Sequence, residues 1–96
     1  MTTIVNCNET DRYDVYIGRP SKWGNPFVIG TDGTRAEVIS KYKEWILSND
    51  SLLHDLKELD GKVLGCWCKP KSCHGDILIE LLQQQKKTDI IDELFN

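Results

Sequence analysis

"KVLGCWCKPKSCHGDIL", residues 62–78, decides the fold, because it passes from a β-like run through a loop into a helix start. "KVLGCWC" is too short and too rich in β-formers for a helix, so it reads as a buried strand. In strand periodicity Cys66 and Cys68 face one side and Trp67 the other. "KPKSCH" is a loop, since its Pro removes an N–H and pushes the preceding residue out of the helical region. From about Gly75 or Asp76 the spacing predicts a helix, with Ile77, Leu78, Leu81 and Leu82 facing inward.

Working outward, "TTIVN" and "DVYIGR" are short β-rich runs bounded by polar residues or by Gly and Pro, and both read as strands. "RPSKWGNPF" holds two prolines and a glycine in nine residues and must be a loop. "VIGTDGT" continues in turn chemistry. Residues 34–47 carry Val38, Ile39, Tyr42, Trp45 and Ile46 at helical spacing, opened by a Thr34/Glu37 capping box. "SLLHDLKEL" puts Leu52, Leu53, Leu56 and Leu59 on one face of a second helix, ended by Asp60-Gly61. The tail carries Ile90, Ile91, Leu94 and Phe95, read as a last helical turn or as an extension, from residue 85, in a subunit interface.

The order β, β, loop, α, α, β, loop, α predicts one α/β domain over residues 1–96. The expected architecture is a small layered fold, a short and mostly parallel sheet with helices packed on it, Rossmann-like. Ligands of such sheets bind beyond the carboxyl ends of the strands. Loops 19–33 and 69–75 each follow a strand and precede a helix, so parallel strands would bring them to one edge.

The net charge is -3, with 40% hydrophobic and 28% charged residues. No basic stripe exists, which argues against DNA or RNA, whose phosphates need clustered Lys and Arg. A small anionic ligand needs only one or two well-placed arginines. No apolar run approaches the ~20 residues of a membrane span, and the N-terminus lacks the pattern of a signal peptide. A cytoplasmic location is expected. There the four cysteines are free thiols or ligands before they are disulfides.

Three readings compete for the cysteine-rich stretch. Cys66, Cys68, Cys73 and His74 are the right ligand types for tetrahedral Zn²⁺, but C-x-C-x4-C-H is not the usual pair spacing. Cys73, beside His74 and near Lys69 and Lys71, has the setting of an activated thiol, yet chain neighbours rarely face each other. In the third reading the cysteines are packing residues, and "CHGD" opens a helix whose free N–H groups hold an anion, with His74 adding a donor and Gly75 admitting close approach. Asp76 then caps its own helix. The first loop supports this reading. Arg19 is an anion fork at the same edge, Trp23 either stacks on a flat ring or covers the end of the core, and Asn25 before Pro26 offers an amide. Arg35 either is a solvated arginine on the helix surface or reaches back over its helix start toward the same edge. His54 reads as a surface residue, Tyr42 and Trp45 as core, and Cys7 has no partner pattern.

"YIGRPSKWGNPF", "DGTRAEVISKYKEWIL" and "GKVLGCWCKPKSCHGDIL" together resemble a family of small uncharacterised phage and bacterial domains, a domain of unknown function. Its pattern falls on Arg19, Trp23, Gly24, Asn25, Pro26 and Phe27, on Arg35, and on Cys66, Trp67, Cys68, Cys73, His74, Gly75 and Asp76. The resemblance covers most of residues 15–82. It implies a compact nucleotide-handling fold and, by analogy, a sponge in the host cytoplasm for an immune signal such as a cyclic nucleotide or ADP-ribose derivative. The expected ligand-binding set is therefore Arg19, Trp23, Gly24, Asn25, Pro26, Arg35, Cys73, His74, Gly75 and Asp76. No cofactor is expected, zinc being the alternative. A nucleotide or N-glycosidic hydrolase using Asp76 or His74, and a zinc-stapled interaction domain, are the rival functions. A homodimer or higher homo-oligomer suits so short a chain.

Overall fold

The computed structural model describes residues 1–69 and 71–95, with side chains through Lys87. The strands are β1 (Thr3–Asn6), β2 (Val15–Tyr16) and β3 (Val63–Cys66). They form one parallel sheet in the order β1-β3-β2. The central position of β3 follows from its sequence, since a strand covered on both faces and paired at both edges must be apolar or small throughout.

Register fixes which residue faces which layer. Thr3 stands opposite Val63, and Val15 opposite Leu64. Leu64 and Cys66 point into the core with the helices, whereas Gly65 faces the other side. A side chain at Gly65 would collide with the Tyr13 ring, whose Cγ lies 2.7 Å from where a Cβ would stand. Residues 7–14 thus return over this second face, from a bond between Cys7 N–H and the Cys66 carbonyl to one between Asp14 N–H and the Val63 carbonyl. The fold has two layers, with an aromatic cover on the far face of the sheet. This is the expected small α/β fold, a short parallel sheet with helices packed on it, and a tyrosine-bearing loop covers the far face.

Helix α1 (Arg35–Leu47) begins where the Thr34/Glu37 capping box predicts and buries Val38, Tyr42 and Ile46. Helix α2 (Asp50–Asp55) is capped by Asn49, which accepts from Leu52 N–H at 3.2 Å. A 3₁₀ turn (Leu56–Leu59) follows, so the single second helix read from the leucine spacing is split. Both pieces still bury a leucine face, and short helices commonly tighten in this way. Helix α3 (His74–Phe95) is longer than expected, and the tail continues it. It is tied to the preceding layer by Lys86–Asp60 at 2.7 Å and by Gln85 donating to the Leu53 carbonyl. The side chains of Ile90, Ile91, Leu94 and Phe95 lie outside the described residues, and with them the expected subunit contact.

One apolar cluster runs from Ile17 through Tyr42, Leu56 and Leu64 to Leu82. Among the described residues no helix is long and apolar enough to cross a membrane. Because the strands are parallel, the chain leaves β2 and β3 at the same edge, and α1 and α3 both start there.

Candidate functional site

At that edge lies a cleft of about 260 Å³, near the small end of ligand sites. Gly18, Arg19, Asn25 and Phe27–Ile29 line it from the first loop. Arg35, Val38 and Ile39 line it from α1, and Cys66–Cys68 with Ser72–His74 from β3 and its exit. The deep residues are Val38, Cys66, Cys73 and His74, all buried, while Arg19, Val28, Ile29, Trp67 and Ser72 are exposed. Among the described residues no Asp or Glu lines it.

The start of α3 is closed by its own chain. Cys73 Sγ accepts from Gly75 N–H at 3.3 Å, and Asp76 Oδ2 accepts from Cys73 N–H at 3.1 Å. This is the reciprocal logic of a capping box, with a thiol in place of a hydroxyl. Lys69 binds the other Asp76 oxygen at 2.8 Å. Burial pushes the Asp76 carboxyl up, but the Lys69 ammonium and the Cys73 N–H outweigh it and hold the group below the usual carboxylate range. Lys69 is raised in turn, chiefly by its bond to Asp76. The position where a ligand anion was expected is thus filled by Asp76. Gly75 serves packing: a Cβ there would stand 2.7 Å from Ile4 Cδ1 and 2.9 Å from Ile17 Cδ1.

His74 is buried beneath the cleft, its ring edge-on to Tyr42 with centroids 5.0 Å apart. Its Nε2 lies 2.7 Å from the Ile17 carbonyl. A carbonyl only accepts, so Nε2 carries the proton, and in the neutral ring Nδ1 is an acceptor. Burial holds its pKa below the ordinary imidazole value.

Cys66 and Cys73 meet with sulfurs 3.6 Å apart. Burial, with Cys66 adding to it, pushes the Cys73 thiol up to about 12. That removes the activated-thiol reading, which needs the opposite shift. Among the described residues no three His, Cys, Asp or Glu side chains are grouped so as to hold a metal ion.

In the first loop Trp23 is 2% exposed and belongs to the core cluster. Lys22 covers it, its ammonium 5.2 Å from the ring centroid and 3.0 Å from both Asp55 and Glu58. The Tyr42 hydroxyl donates to the Trp23 carbonyl at 2.7 Å. Trp23 therefore closes the end of the core and is not available to stack on a ligand. Asn25 shapes the loop, donating to the Val38 carbonyl and accepting from Phe27 N–H. Gly24 lets the loop close on itself, since a Cβ would stand 3.0 Å from Arg19 Cα. Pro26 is exposed and outside the lining.

Of the expected set, the structure brings Arg19, Asn25, Arg35, Cys73 and His74 to one cleft. It leaves Trp23, Gly24, Pro26, Gly75 and Asp76 behind it or beside it. Sequence reasoning missed the apolar wall of Phe27, Val28, Ile29 and Ile39, and it missed Trp67 as the exposed aromatic. The signal for Trp67 was present: alternation along β3 turns it away from the two core-facing cysteines. The residue is 54% exposed. Its Nε1 donates to the Tyr16 hydroxyl at 2.7 Å, which holds the indole in place. The Arg35 guanidinium donates to the Ser72 carbonyl at 3.1 Å. Arg19 makes no ion pair among the described residues, nor does Arg35.

A model of the family described as "Domain of unknown function (DUF4326)" matches residues 5–84. "Uncharacterized protein R718" of Acanthamoeba polyphaga mimivirus is 42% identical over 94 residues, covering 79% of this chain and 72% of the relative. "Uncharacterized 12.4 kDa protein in nrdA-td intergenic region" of Enterobacteria phage T4 is 37% identical over 99 residues, covering 97% of this chain and 89% of the relative. No solved structure matches.

Proposed function

The chain belongs to that family, and we propose that it binds a small anionic, nucleotide-like ligand in the cleft at the carboxyl edge of its sheet. One observation carries the reading. Arg19 and Arg35 line a mostly apolar cleft, and among the described residues no carboxylate enters it and none forms an ion pair with either arginine. Arginine forks suit phosphate and carboxylate groups. The apolar wall and the fixed, exposed Trp67 suit a flat ring beside the anion.

Binding is favoured over cleavage. Among the described residues the cleft lining offers no carboxylate as acid or base, the His74 Nε2 proton is committed to the Ile17 carbonyl, and the Cys73 thiol stays protonated. General acid–base work needs a group within reach of the reacting atom and with a matched pKa. Two relatives come from viruses, which supports the sponge reading, in which a host signalling nucleotide is held in the cytoplasm without turnover.

The test is titration calorimetry against nucleoside monophosphates, cyclic nucleotides, ADP-ribose and inorganic phosphate. Each charge-assisted bond contributes about 1.5–3 kcal/mol, so Arg19→Ala or Arg35→Ala is expected to weaken binding roughly 10- to 150-fold. No binding of any nucleotide at millimolar concentration by the folded protein would end the proposal. Chromatographic detection of a cleaved product would replace binding by hydrolysis.

A further inference from the structure

We infer that the cleft orients its ligand, taking the uncharged ring inward and leaving the phosphate at the mouth. The inference rests on the proposed nucleotide reading and concerns which end of the ligand enters. The floor is made of Val38, Cys66, Cys73 and His74, all buried. Val38 is apolar, burial lowers the His74 pKa, and the Cys73 thiol is pushed up to about 12. An anion lowered onto this floor would lose its water and gain no cation, which is costly. A neutral ring would find thiols, an apolar side chain and an imidazole edge.

The usual remedy for an inward phosphate is a helix N-terminus, and it is closed here. At the α3 start Gly75 N–H donates to Cys73 Sγ and the preceding Cys73 N–H to the Asp76 carboxylate, which adds a negative charge of its own. The α1 start is closed by the Thr34/Glu37 box, with Thr34 N–H donating to Glu37 at 3.0 Å. The free cations stand outward instead. Arg19 is exposed, and Arg35 is partly exposed and reaches the exposed Ser72 at the rim. The cavity of about 260 Å³ admits one nucleoside-sized group, so any further phosphate or sugar extends into solvent.

The ligand class follows: a nucleotide with an unsubstituted, uncharged base and a free or extended phosphate end. AMP, GMP, CMP and UMP are first titrated into the native protein, and the tightest binder becomes the probe. Two derivatives of it are then compared, one with an alkyl chain on the base and one with the same chain esterified to the phosphate. The base-extended derivative is expected to lose at least about tenfold in affinity, and the phosphate ester to lose less. Arg19→Ala is expected to weaken the mononucleotide and leave the parent nucleoside unchanged. Tolerance of the base extension, or loss of both derivatives alike, would overturn the orientation while the binding proposal stood. Failure of all four mononucleotides and of the larger nucleotides would remove the binding proposal itself, and the orientation with it.

Discussion

Replacing Tyr42 by Phe tests the idea that the arginine-bearing loop is held by a single buried bond. Tyr42 is fully buried, and its hydroxyl donates to the Trp23 carbonyl at 2.7 Å. That carbonyl has no other partner among the described residues. Deleting the hydroxyl removes one hydrogen bond and strands a buried acceptor, which costs about 1–3 kcal/mol. The lost hydroxyl volume is small, so the ring still fills its place against Trp45 and His74. At about 4–8 °C per kcal/mol for a domain of this size, Tyr42→Phe should lower Tm by roughly 5–20 °C, read by circular dichroism with the urea m-value unchanged. Tyr16→Phe is the control. Its hydroxyl bonds the Arg19 carbonyl at 3.0 Å and accepts from Trp67, but both contacts are exposed, so its effect should stay within about 0.5 kcal/mol. Equal effects from the two variants, or a Tm for Tyr42→Phe unchanged from the parent protein, would refute the argument.

The two tryptophans should separate stability from binding. Trp23→Ala is expected to cost about 3–5 kcal/mol, whereas Trp67→Ala should unfold near the parent Tm and lose nucleotide affinity; the reverse pattern in paired melts and titrations would sink the assignment. With its pKa about 12, Cys73 holds well under one thiolate in ten thousand thiols at pH 7.5. Iodoacetamide should therefore spare it until urea unfolds the protein, and peptide mass spectrometry showing Cys73 as the first site labelled would contradict this. His74 makes stability depend on mild acid. Its folded pKa is lowered, so the unfolded chain takes up the proton first. Stability should be flat above the ordinary 6.5 and fall as pH drops through that value toward the lowered one. Asp76 and Glu37, with ordinary values of 3.8 and 4.5, act only at lower pH. Urea midpoints from pH 8 to pH 5.5 report the slope, which should survive His54→Ala; its disappearance in that variant would assign it to the wrong histidine.

The burial of β3 was legible because Leu64, Gly65 and Cys66 form an apolar and small run, whereas the order β1-β3-β2 was not read from the sequence. The shared edge of the two loops then followed from parallel pairing. The capping box at Thr34 was legible because its two partners sit three residues apart. Trp23 was only half legible: covering the end of the core was one of its two readings, but a tryptophan between Lys22 and Gly24 also looks solvent-facing. The burial comes from Lys22 folding over the ring to reach Asp55 and Glu58, carboxylates more than 30 residues away. The second face of the sheet escaped for a similar reason. Tyr13 covers Gly65 across about fifty residues of sequence, and no local pattern announces that contact.

The anion site shows how a correct local reading can still misplace chemistry. A strand–loop–helix passage with Gly after His suggests free N–H groups aimed at a phosphate. Whether they are free depends on the third helical residue. Asp76 returns to Cys73 N–H, and Cys73 supplies a sulfur to Gly75 N–H. The helix dipole is then already answered by a carboxylate, and a second anion there would meet repulsion. Glu37 does the same at the start of α1. With both helix starts self-capped, attraction for an anion at this edge passes to side chains that no carboxylate neutralises. Arg19 and Arg35 are the two that line the cleft. Asp76→Asn would remove the competing charge but also release Lys69, so both effects shift the α3 start toward accepting an anion. Mononucleotide affinity should therefore rise in that variant. A fall instead would mean that Asp76 itself contacts the ligand.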